Sequence, residues 1–266
     1  MRYCRFETQF GPQYGEVRER GGHDWIEILL PPPEEDPWTI FPGETEAAAF
    51  EPVPVGRATL LAPVSPSKIV CIGRNYRDHA AELGNEVPKE PLLFLKAPSA
   101  IIGPGENIRI PAQSQRVDFE GELAIVIGRR ASRIGLDEDV RPYIRGYTLV
   151  NDVTARDLQK SDGQWSRAKG FDTFCPVGPI VTDEIDPDAG LALETRLNGG
   201  VKQQGSTLDL IFPVAYLLRH ITAAMTLMPG DLVPTGTPAG VAPMQPGDVV
   251  EVEIRGIGVL SNPVSA

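Results

Sequence analysis

The chain has 266 residues, enough for one large domain or two unequal ones. Apolar side chains make up 41%, and the 27 glycines and 26 prolines are too few for a collagen-like or low-complexity chain. With 25 Lys and Arg against 36 Asp and Glu the net charge is −11, which argues against nucleic acid or an anionic membrane as a partner.

No apolar run reaches the ~18 residues of a membrane helix, and Met1 to Glu7 lacks the apolar stretch of a secretory leader. Cys4, Cys71 and Cys175 are widely spaced, in no metal-binding pattern, and read as reduced, buried thiols. A soluble cytoplasmic protein is expected. The only histidines are His23, His79 and His220, so carboxylates would have to hold any metal.

From the N-terminus, Trp25-Ile26-Glu27-Ile28-Leu29-Leu30 predicts a strand in a small β-rich region. Between Pro31 and Pro66 nine prolines fall within 36 residues, too many for long periodic elements. A boundary is therefore expected near residue 65, dividing a small domain (1–65) from a larger one (66–266). Lys68 to Gly73, an apolar run ending in glycine, reads as a buried strand. Tyr76 to Leu83 predicts a short helix with Gly84 as its C-cap. Strands follow over residues 123–127 and 146–150, then a helix over 154–160, where Thr154 and Asp157 come close to a capping box. Residues 192–197, 249–254 and 259–260 read as further strands, and the two Pro-Gly-Asp tripeptides, 229–231 and 246–248, each read as a turn feeding an apolar run. Pro213 to Thr222 has helical apolar spacing, with proline at its tolerated first position. Strands dominate and no βαβ rhythm appears. The expected class is mainly β with few short helices (α+β), and a doubly wound nucleotide fold is disfavoured.

The densest chemistry lies in Asp118 to Ile127. On an extended strand Phe119, Leu123, Ile125 and Ile127 share one face, and Glu120 and Glu122 share the other. Side-by-side carboxylates repel, and a cation is the simplest remedy. A solvated outer face is the plainer alternative, although Ala124 and Val126 continue that face without polarity. Asp152 ends an apolar strand, where an acid either ligates a metal or caps the helix that follows. Arg156 and Gln159, three apart, face the same way. His79 and Glu82 share that spacing, which sets a carboxylate against the imidazole, raising its basicity and fixing its tautomer. Such a pair suits a general base that activates water, and a surface ion pair is its alternative. Lys169 and Thr235-Gly236-Thr237-Pro238 carry no meaning by themselves.

Taken in order, Gly73-Arg74-Asn75-Tyr76, His79, Glu82, Leu93-Phe94-Leu95-Lys96, Glu120-Gly121-Glu122, Asn151 to Asp157 and Thr235 to Val241 resemble the catalytic domain of the fumarylacetoacetate hydrolase family. The resemblance implies a mixed β-sandwich roll, usually homodimeric, with Mg²⁺ or Mn²⁺ held by Glu120, Glu122 and Asp152. It also implies substrate contacts from Arg156, Gln159 and Lys169, and Thr237 closing over the substrate. His79 and Glu82 would ride on a lid helix, and Lys96 would lie near the metal water. Three oxygen ligands on a hard octahedral ion leave about three positions for a 2-oxo acid. The ion would stabilise an enolate formed when a bond at C3 breaks.

That intermediate serves several outcomes. An isomerase or tautomerase is expected first, of the 2-hydroxyhepta-2,4-diene-1,7-dioate isomerase type (in aromatic catabolism) or the oxaloacetate tautomerase type. Nearly level stand an acylpyruvate hydrolase, with hydroxide delivered by His79 and Glu82, and an oxaloacetate decarboxylase. A non-catalytic metal- and dicarboxylate-binding protein is the remote alternative. Substrate length is expected to be set in part by residues 85–90.

Overall fold

The structure is a computed structural model and describes residues 1–82, 84 and 86–266. The chain opens with three antiparallel strands, β1 (Arg2–Thr8), β2 (Gly11–Arg20) and β3 (His23–Leu30). A short helix, α1 (Glu44–Ala48), falls in the proline-rich stretch. Next come β4 (Ile69–Gly73), α2 (Arg77–Glu82), β5 (Leu92–Lys96) and β6 (Gly121–Ile127). They are followed by β7 (Ile144–Asn151), α3 (Arg156–Ser161), α4 (Ser166–Gly170) and β8 (Cys175–Thr182). The last part holds β9 (Ala192–Leu197), β10 (Gly200–Ser206), α5 (Val214–Ala224), β11 (Leu232–Pro234), β12 (Val249–Ile254) and β13 (Gly258–Ser265). The fold is mainly β with short helices, as the sequence predicts.

A 12-stranded sheet runs β3-β2-β1-β8-β7-β6-β11-β4-β5 with short flanking strands. The N-terminal strands extend it, because β1 pairs antiparallel with β8 and sets Arg2 opposite Thr182. A five-stranded sheet, β10-β9-β12-β13 and the pair Ile108–Arg109, packs against the large one. Strand β6 is buried along its whole length, which is why its sequence is nearly unbroken apolar. Leu123, Ile125 and Ile127 meet Leu217, Leu218 and Ile221 of α5 and Val252 and Ile254 of β12. Ala124 and Val126 meet Cys71, Val150, Phe174 and Val177 on the opposite face. Each large side chain so buried contributes roughly 1.5–3 kcal/mol.

Two local expectations are corrected. Phe119 lies with Ala124 and Val126, not with Leu123. The reason is a break in the strand: Val117 and Asp118 pair with Ala155 and Thr154, Glu120 lies outside both ladders, and alternation restarts at Gly121. Helix α3 begins at Arg156 without a side-chain cap. Thr154 is held in the short ladder, its hydroxyl donating to Asp152 O at 2.8 Å. Asp157 instead accepts from Ser114 Oγ at 2.6 Å and Gln115 N at 2.8 Å. The expected end of α2 at Leu83, and Asn85 at the start of the 85–90 segment, lie outside the described residues.

All three cysteines are free and buried. Among the described residues no helix is long and apolar enough to cross a membrane.

Candidate active site

The register of two neighbouring strands assembles the acids. Gly121 faces Asn151 and Glu122 faces Val150, so the start of β6 lies beside the end of β7. Asp152 N donates to Glu120 O at 2.8 Å, and Glu120 N donates to the Asn151 side chain at 2.9 Å. These bonds fix the two irregular residues that the ladders leave free. Gly121 is needed between the glutamates, since a Cβ there would stand 2.1 Å from Thr195 Oγ1 of β9. The outcome is that Glu120, Glu122 and Asp152, all buried, bring one carboxylate oxygen each within 4.8 Å of the others.

Cations neutralise this cluster from two sides. Lys169 on α4 donates from Nζ to Glu120 Oε2 at 2.7 Å and to Asp152 Oδ2 at 2.6 Å. Lys96, at the end of β5, donates to Asp152 Oδ1 at 2.7 Å and Val153 O at 3.2 Å. Arg156 Nε donates to Asp118 Oδ2 at 2.8 Å, and its Nη2 pairs with Glu120 Oε1. Gln159 Oε1 accepts from Arg156 Nη1 at 3.1 Å. Among the described residues Glu122 has no lysine or arginine partner of this kind and accepts only from Gly236 N, at 2.8 Å.

The electrostatics follow. Burial would raise Glu120, but Arg156, Lys169 and His79 hold its carboxyl well below the usual range. Glu122 is pushed well above that range by burial, by Asp152 and by Glu120. Burial works against the Lys169 charge, yet Asp152 and Glu120 outweigh it and raise its pKa.

His79 is buried on α2, with Nδ1 3.4 Å from Glu82 Oε2 and Nε2 3.9 Å from Glu120 Oε1. The pair expected from the sequence forms, and Glu82 raises the basicity of the imidazole as expected, but burial outweighs it. Burial lowers the His79 pKa, Glu120 opposes this, Arg156 adds to it, and Glu82 compensates only in part. Glu82 also accepts from Gly240 N at 3.1 and 3.2 Å, tying α2 to the turn after Thr237. Gly240 has φ +105°, and a Cβ would stand 1.9 Å from Lys202 O, so that tie needs glycine. Thr237 Oγ1 donates to Gly121 O at 2.8 Å and accepts from Gln203 Nε2 at 2.7 Å, which fastens the turn to β6.

A cavity of about 530 Å³ gathers His79, Glu82, Glu120, Glu122, Asp152, Arg156, Gln159, Lys169 and Thr237. Lys96 lies behind it, joined through Asp152. A larger cleft of about 830 Å³, lined by Trp38, Leu61, Pro66 and Ile101, holds none of these groups.

A profile of the fumarylacetoacetate hydrolase C-terminal domain matches residues 68–265. The chain belongs to that family. A Mycobacterium tuberculosis protein is 55% identical over 214 residues, 79% of this chain and 80% of that one. The oxaloacetate tautomerase YisK of Bacillus subtilis is 42% identical over 219 residues, 77% of this chain and 72% of YisK. The solved structure of a 2-hydroxyhepta-2,4-diene-1,7-dioate isomerase from Mycobacterium marinum is 42% identical, with a TM-score of 0.85 over 100% of this chain and 98% of that one. The protein is accordingly a fumarylacetoacetate hydrolase family enzyme.

The carboxylate trio fits the divalent ion on which this family generally depends. Its donors are hard oxygens, Glu122 has no cationic hydrogen-bond partner among the described residues, and each oxygen already hydrogen-bonded keeps a second lone pair. Sequence reading missed three supports of the site. Asp118, two residues before Glu120, anchors Arg156, and the alternation 118, 120, 122 was the available signal. Asn151 beside Asp152 fixes Glu120. Gln203 donates to Thr237 and accepts from Gly121 N at 3.0 Å, and a lone glutamine on an outer strand gave no signal.

Proposed function

We propose that this enzyme is an isomerase or tautomerase of enolisable 2-oxo acids or 2-oxo dicarboxylates, dependent on Mg²⁺ or Mn²⁺. Oxaloacetate tautomerisation and 2-hydroxyhepta-2,4-diene-1,7-dioate isomerisation, the latter in aromatic catabolism, are the two leading types. The observation that carries the reading is the buried trio Glu120, Glu122 and Asp152, opening into a cavity that His79 and Lys169 also line. The tautomerase and isomerase relatives carry the choice of reaction.

Glu120, Glu122 and Asp152 would hold the ion, which when bound supplies Lewis acidity toward the 2-oxo carboxylate. With Nδ1–H turned toward Glu82, His79 keeps its lone pair on Nε2. Burial favours this neutral form, so His79 can take a proton from C3 of the substrate near neutral pH. Lys169, held as a cation by two carboxylates, donates to the oxygen that gains charge when the C3–H bond breaks. Arg156 and Gln159 orient the substrate carboxylate, and the turn carrying Thr237 shields it from water. Lys96 keeps Asp152 in place. Residues 1–65 form a small separate domain in this reading, and the enzyme works as a cytoplasmic homodimer.

Proton NMR of the Mg²⁺-loaded protein with oxaloacetate and acetylpyruvate tests the reaction. Faster enol–keto exchange without pyruvate supports the proposal. Prompt pyruvate above the enzyme-free control moves the protein to the hydrolases and decarboxylases.

A further inference from the structure

The proposed chemistry depends on Lys169, and two aromatic rings beside it, Phe94 and Trp165, line the same cavity without a task. The Lys169 ammonium has three N–H donors. Two go to Glu120 Oε2 and Asp152 Oδ2, and among the described residues no acceptor takes the third. Glu120 and Asp152 belong to the trio that would hold the ion, a rival cation, so they alone are a poor anchor for the ammonium. The helix adds little, because α4 has only five residues and no side-chain cap.

The rings supply the missing support. Lys169 Nζ stands over the Phe94 ring, 4.9 Å from its centroid and inside the ~6 Å range of a cation–π contact. Trp165, next to α4 in sequence, meets Phe94 edge to face, with ring centroids 5.2 Å apart and planes at 68°. Its carbonyl accepts from Lys169 N at 2.9 Å, and its indole rests on the end of β4, 3.1 Å from where a Cβ on Gly73 would stand. Backbone and ammonium of Lys169 are both braced. Phe94 and Lys96 are two apart on β5 and share a face, so one strand reaches both lysines that bind Asp152.

A ring suits this place better than a polar side chain. An acid would add a fourth negative charge, and a hydroxyl or amide would offer an oxygen to the ion. An aromatic face attracts an ammonium but has no lone pair for a metal. Lys169 is buried, which strengthens the attraction.

We propose that Phe94, braced by Trp165, is a positioning residue for Lys169. The ring face keeps the ammonium beside the carboxylates and leaves its third N–H for the substrate oxygen that gains charge. The inference rests on the role given to Lys169 above and adds the groups that act through it.

The test replaces Phe94 in the full-length protein by tyrosine, by leucine and by pentafluorophenylalanine, which keeps the ring's shape but loses its electron-rich face. Enol–keto exchange of oxaloacetate is followed with each Mg²⁺-loaded protein. Phe94→Leu and the fluorinated ring should lower kcat by about tenfold with KM little changed, and Phe94→Tyr should stay near wild type. A ring that serves only as packing predicts an unchanged rate for the fluorinated form, and that result overturns the proposal. If the wild type does not accelerate exchange, the tautomerase reading fails instead, and melting in EDTA decides the positioning alone. Adding fluorines to the ring should lower Tm stepwise, whereas greater apolarity by itself would hold or raise it. The fall should persist in Trp165→Leu, which removes the other ring contact, and vanish in Lys169→Met. A Tm that does not fall, or a fall that survives in Lys169→Met, overturns the contact.

Discussion

Lys96 and Asp152 are buried against one another, the ammonium donating to Asp152 Oδ1 across 2.7 Å. One comes from the end of β5 and the other from the end of β7, strands separated by β4, β11 and β6 in the large sheet. A buried ion pair becomes costly when one partner goes, because the remaining charge keeps its desolvation penalty. Lys169 still pairs with Asp152 when Lys96 goes, so Lys96→Met should destabilise the metal-free protein, by less than the about 3–5 kcal/mol of a fully unpaired buried charge. Mg²⁺ should restore part of the loss by supplying another positive charge beside Asp152. Melting curves with and without Mg²⁺ check both statements, and a variant as stable as wild type in EDTA would speak against the pairing.

Loss of a carboxylate should separate metal binding from folding. Asp152→Ala or Glu122→Ala should weaken Mn²⁺ binding by more than the roughly 100-fold that loss of an outer partner causes. Neither residue contributes to the apolar clusters that hold the two sheets together. Far-UV circular dichroism at about 25 °C should therefore stay as in wild type, while Mn²⁺ titration by electron paramagnetic resonance shows free ion; Asp152→Ala should also melt earlier than Glu122→Ala, because it leaves the buried Lys96 without its acid. Full affinity in either variant would remove the trio as the metal site.

Metal uptake should release protons. Burial, Asp152 and Glu120 raise the Glu122 pKa, so in metal-free protein this carboxyl keeps its proton above the ordinary carboxylate range near ~4.3. A cation displaces that proton, and affinity should climb with pH until Glu122 ionises unaided. Calorimetry in buffers of different ionisation enthalpy measures the release. Uptake with no proton exchange and flat affinity from about pH 5 to 8 would be the contrary outcome.

His79→Ala should leave Mn²⁺ affinity near wild type, since His79 lies outside the trio. Turnover should fall by about 10²–10⁴-fold, the usual contribution of a general base. Enol–keto exchange at the wild-type rate would transfer the proton-handling role to Lys169.

How far the sequence could be read depended on the range of the interaction. Strand β6 was legible because Leu123, Ile125 and Ile127 alternate with Ala124 and Val126 inside one segment. The His79 and Glu82 pair was legible from helical spacing, but its electrostatics were not. Burial depends on everything packed around the imidazole, including Arg156 from a distant helix. Phe119 was assigned to the wrong face because the strand breaks at Glu120, where Asn151 and Asp152 capture the backbone from another strand. The helix start was misplaced for a similar reason, since pairing between Thr154 and Asp118 overrides local capping. The pairing of β1 with β8 spans most of the chain and has no local signature. Single residues recruited from afar, such as Gln203, were invisible, whereas the acids stood out because their spacing itself called for a counter-charge.

The most direct test follows the enol absorbance of oxaloacetate with metal-loaded wild type, with EDTA-treated wild type, and with Asp152→Ala. Accelerated exchange by the loaded wild type alone is expected, restored in the treated sample when Mg²⁺ is returned. Equal acceleration in all three samples would contradict a reaction centred on the carboxylate trio.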